Sequence, residues 1–107
     1  MRLKDVAKVV KSKNAGPFEI TLDIILPDAQ AFDLVEASGV FDSALFARLY
    51  GFDESEILFS AYRPALAFKA TIPRRIASGD IGDTDVYGAQ QHAPLLDVEI
   101  PWSGSKT

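Results

Sequence analysis

The clearest pattern in the chain is FEITLDIIL, residues 18–26. Phe18, Ile20, Leu22, Ile24 and Leu26 alternate there with Glu19, Thr21, Asp23 and Ile25. Strand side chains point to opposite faces in turn, so this period of two predicts a strand with one apolar and one mostly polar face. ILFSAYRPALAFKATI, residues 57–72, reads as two strands broken at Arg63-Pro64, with Leu66, Phe68, Ala70 and Ile72 on one face of the second. Proline cannot donate to a ladder and belongs at a turn or strand start, which makes the break a hairpin. LLDVEI, residues 95–100, sets Leu96, Val98 and Ile100 against Asp97 and Glu99, and predicts a last strand.

Other segments follow the helical period. Leu3, Val6, Ala7 and Val10 form one stripe, predicting a first helix that stops near Ser12 or Lys13, ahead of Asn14, Gly16 and Pro17. Asp28 is the candidate N-cap of a second helix with Phe32, Leu34 and Val35 on its buried side and Gly39 at its end. Asp42 or Ser43 caps a third, carrying Leu45, Phe46, Leu49 and Tyr50 and closed by Gly51. The order α-β-α-α-β-β-loop-β predicts a single α+β domain over residues 1–101, followed by a short polar tail, 102–107. Its sheet, of about four strands, should be antiparallel or mixed, with helices mainly on one face.

Composition narrows the function. At 107 residues the chain is one domain with one modest core. No run reaches the roughly 18 apolar residues of a membrane span. The interrupted N-terminal stretch is not read as a signal peptide. Absence of cysteine removes disulfides and thiolate chemistry and fits a reducing cytoplasm. The first thirteen residues carry a net +4 and the remainder −8. An acidic body does not suit nucleic acid, which is bound through phosphate neutralisation. The basic N-terminal segment is either a solvated face or a surface for an acidic partner.

The polar chemistry gathers in the loop from Arg74 to Pro94. So long a connection in so small a domain is expected to be functional, packed on the domain or on a partner. His92 is the one histidine and the natural proton carrier, or else a loop anchor bonded to a backbone carbonyl. Tyr87 could donate to a developing oxyanion or to a substrate carboxylate, and Gln90 and Gln91 could read a carbonyl. Arg74 and Arg75, with Lys69 and Arg63 nearby in sequence, could hold a carboxylate or phosphate, or simply guard a strand edge. Asp80, Asp83 and Asp85 lack the spacing of a calcium loop and serve equally as turn formers, so no metal is assigned. Ser12-Lys13-Asn14-Ala15-Gly16-Pro17 is a second polar junction, read as a helix C-terminus with Lys13 near its negative end. Glu19 and Asp23 share the polar face of the first strand.

SKNAGPFEITLDI and GDTDVYGAQQHAPLLDVEIP, joined by ARLYG and KATIPR, resemble a small bacterial and archaeal family of unknown function. That family is similar to the module found beside, or fused to, acyclic terpene utilisation protein A-like proteins. The resemblance spans residues 2–101. Its motifs fall on Ser12, Lys13, Asn14, Gly16 and Pro17, and on Gly82, Asp83, Thr84, Asp85, Tyr87, Gly88, Gln90, Gln91 and His92. It implies an accessory subunit of a larger companion engaged in catabolism of carboxylic acids or their coenzyme A thioesters. It names no cofactor.

The leading expectation is therefore a subunit of a hydratase or dehydratase, a lyase, with a site at the interface between the two chains. His92 and Tyr87 are the expected catalytic residues. Lys13, Asn14, Arg74, Arg75, Asp83, Asp85, Gln90 and Gln91 are expected to bind substrate. The alternatives are a noncatalytic module that stabilises the companion and a self-sufficient homo-oligomeric enzyme.

Overall fold

The computed structural model describes residues 1–73 and 93–101. Four strands, β1 (Val9–Asn14), β2 (Glu19–Ile25), β3 (Leu58–Tyr62) and β4 (Ala67–Pro73), form one antiparallel sheet in the order β1-β2-β4-β3. Three helices accompany it: a single turn, α1 (Leu3–Val6), and the longer α2 (Ala29–Ser38) and α3 (Ser43–Tyr50). The α+β architecture agrees with the sequence pattern, and the sheet is wholly antiparallel.

Alternation on the central strands decides which face is dry. Ile20, Leu22 and Ile24 of β2 lie in register with Ile72, Ala70 and Phe68 of β4, and all six are buried. The helices close over this face through aromatic contacts. Phe68 stacks on Phe32 of α2 with ring centroids 4.6 Å apart, and it also meets Phe41, between the helices, at 5.7 Å and Phe59 of β3 at 6.2 Å. Phe46 of α3 reaches Phe59 at 5.6 Å.

Both helices begin and end as their sequences predict. Asp28 and Asp42 each accept a backbone N–H bond of 2.8 Å, from Ala31 and Leu45 respectively. These bonds satisfy donors that the first helical turn leaves without partners. Gly39 and Gly51 take left-handed conformations, φ 69° and 75°, that a Cβ would disfavour.

Two expectations about the ends of the chain are corrected. The predicted first helix lasts one turn, with Leu3 and Val6 buried, and Ala7 is already extended. Val9–Asn14 instead pairs along its whole length with β2, Val10 opposite Ile24 and Ser12 opposite Leu22. The β-branched Val9-Val10 pair suits a strand, and β2 offers an edge whose hydrogen bonds outweigh a weak helical stripe.

LLDVEI joins no sheet. Ala93–Leu95 is a 3-10 turn, and the segment after it pairs with the start of the chain through the isolated bridge Arg2–Glu99. Leu3 N–H donates to Val98 O at 2.9 Å, Lys4 N–H to Leu96 O at 3.0 Å, and Ile100 N–H to Met1 O at 2.7 Å. Arg2 and Lys4 face Asp97 at 3.4 and 3.9 Å. Leu95 and Ile100 still reach the core, so the hydrophobic positions are used although the strand is not.

Phe68→Ala should therefore destabilise the fold by about 3–5 kcal/mol, as for other buried aromatic truncations. Asp42→Ala, which removes only a cap, should cost about 1 kcal/mol. Urea denaturation with an unchanged m-value checks both.

Candidate functional site

On the open face of the sheet, opposite α2 and α3, the outer positions Lys11, Lys13, Leu58, Ser60 and Tyr62 and the central Lys69 are exposed. Asp23, Ile25, Ala67 and Thr71 are half-buried there, and Thr21 is buried. This face is built from the positions that alternate with the core. Register places Lys11, Asp23, Lys69 and Ser60 in one row across the four strands. Lys13, Thr21, Thr71 and Leu58 form the next, and Val9, Ile25, Ala67 and Tyr62 a third. Opposite charges on neighbouring strands, as along Lys11–Asp23–Lys69, favour one another modestly. Glu19 and Asp23 share this face, as their spacing predicts.

Lys13 and Asn14 do not act as a pair. As consecutive strand residues they point to opposite faces: Lys13 is exposed on the open face, and Asn14 is half-buried on the core side opposite Ile20. Because this stretch is a strand, the expected placement of Lys13 at a helix C-terminus does not apply. The strand leads into the β1–β2 turn, closed by the bond from Ala15 N–H to Glu19 O at 2.9 Å, with Gly16 at φ 120°.

Phe18 was expected on the apolar face of the strand. It lies before the strand begins and is 65 % exposed. Leu58 and Tyr62 on β3 are likewise 69 % and 63 % exposed. Their strand was legible in the sequence, but not that it would form an edge and leave them uncovered.

The expected cation cluster is divided. Arg63 makes a two-point bond to Asp33 of α2, Nε to Oδ1 at 2.9 Å and Nη2 to Oδ2 at 3.0 Å, tying the β3–β4 turn to the helical layer. Lys69 sits on the open face between Asp23 and Ser60. Arg74, Arg75, Asp80, Asp83, Asp85, Tyr87, Gln90, Gln91 and His92 lie outside the described residues. Among the described residues no group of three His, Asp or Glu side chains is placed to hold a metal ion, and no helix is long and apolar enough to cross a membrane.

A cleft of about 240 Å³ opens between the start of the chain and α2, lined by Met1, Asp5, Val6, Pro27, Asp28, Gln30 and Ala31. Asp28 already spends one carboxylate oxygen on the α2 cap. Two acidic side chains in its lining oppose a carboxylate substrate, and none of the expected site residues enters it.

The profile of a family described as Domain of unknown function (DUF4387) matches residues 3–99, and the chain belongs to that family. No curated protein and no solved structure matches it.

Among the described residues Asp33, Arg63 and Tyr50 carry clear shifts, with Arg63 raised chiefly by its hydrogen bond to Asp33. The hydrogen bond from Arg63 holds the Asp33 carboxyl below the ordinary value; desolvation opposes it, and the guanidinium charge adds the smallest contribution, also lowering. The pair's stabilisation should be present above the ordinary carboxylate pKa of about 4 and fade as pH falls through the lower folded value. Carbon-13 side-chain titration should place Asp33 low in the parent and return it to the ordinary range in Arg63→Ala. Burial pushes the Tyr50 phenol up. Its neutral form is therefore favoured in the folded state, a contribution complete below about pH 10 and lost as pH rises towards the folded value. Tyr50→Phe should unfold less steeply with alkali than the parent in thermal melts from pH 9 to 12.

Proposed function

We propose that this domain is the small accessory subunit of a two-component catabolic enzyme, docked through its open sheet face on a larger companion similar to acyclic terpene utilisation protein A. The reaction in this reading is hydration or dehydration of a carboxylic acid or its coenzyme A thioester. The observation that carries it is the one-sided sheet. One face is packed by helices, while the other keeps half-buried Ile25 and Ala67 beside lysines and bears the exposed Leu58 and Tyr62. An amphipathic face with an exposed aromatic suits a protein interface.

At that interface the polar stretch 82–92 completes the site. His92 moves the proton, Tyr87 or Gln90 orients the substrate, and Arg74 or Arg75 pairs with its carboxylate. Gln91, Asp83 and Asp85 contribute hydrogen bonds to substrate. Lys13 is the cation on the described open face that joins them, while Asn14 supports the hairpin from the other side of β1.

The second reading is a noncatalytic module that stabilises the companion. The exposed Phe18, Leu58 and Tyr62 favour it, because they are docking groups rather than acid–base groups.

Reconstitution separates the two. The small chain, the companion and their mixture are assayed with candidate carboxylates and thioesters. Activity only in the mixture, lowered about 10²–10⁴-fold by His92→Ala, supports the catalytic reading. Full turnover by the companion alone leaves the docking role only. In either case the double variant Lys13→Glu, Lys69→Glu should weaken complex formation at least tenfold by calorimetry; undiminished affinity would remove the open face from the interface.

A further inference from the structure

We draw no further inference here: the strongest candidate, the exposed and uncharged β3 edge Leu58–Tyr62, is an unpartnered surface, and nothing in the structure shows what covers it.

Discussion

The stack of Phe68 on Phe32 is the contact on which the arrangement of layers depends. Phe68 lies on a central strand, and its ring meets α2, the connection between the two longer helices, and the edge strand β3. Offset aromatic pairs contribute beyond the area they bury. Here they also orient, because one ring has to satisfy three neighbours at once. Once that ring points to one side of β4, Ala70 and Ile72 follow it by alternation, and Ile20, Leu22 and Ile24 follow by register with β2. The helical layer is then committed to one face, and Lys69 and Thr71 to the other.

Among the described residues, α2 and α3 cover one face of the sheet and no helix is placed over the other. Two layers around a single core are what about a hundred residues can build, and a second covering layer would need more chain. On that second face Thr21 is buried and Asp23 and Ile25 are half-buried, although no described helix crosses them. The mixture of lysines, threonines and half-buried aliphatics keeps such a face compatible with water and still able to accept a partner.

Local pattern was a good guide where an element's own residues decide its state. β2 and β4 announced themselves by alternation, and α2 and α3 by Asp caps, apolar stripes and terminal glycines. The pattern failed where the deciding partner is remote. Leu3, Val6, Ala7 and Val10 do make a helical stripe, but Val10, Ser12 and Asn14 also alternate, and only pairing with β2 selects the strand. LLDVEI alternates as a strand should, yet its partner is Met1–Lys4, nearly the whole chain away, so the ladder shrinks to one bridge. Phe18 continued the alternation by one residue too many, beyond the turn set by Gly16 and Pro17. For the candidate site, composition picked out Lys13 and Asn14 but not that a strand would separate them. Most of the remaining expected site residues lie in 74–92, outside the described residues.

Charge is allotted unevenly in space as well as in sequence. The basic start of the chain is answered locally, since Arg2 and Lys4 face Asp97 and the amino group of Met1 lies 3.2 Å from Glu99. What remains of the N-terminal excess is Lys8, Lys11 and Lys13 against Asp5, and the strand register brings Lys69 to the face of Lys11 and Lys13, with Asp23 and Glu19 as described counter-charges. A molecule of net charge −4 thus presents a locally positive sheet face. Its field extends only about 8–10 Å at physiological salt, so it acts at close approach rather than by long-range steering. In the strand register Lys11 and Lys69 flank Asp23, so part of that charge is offset on the face itself.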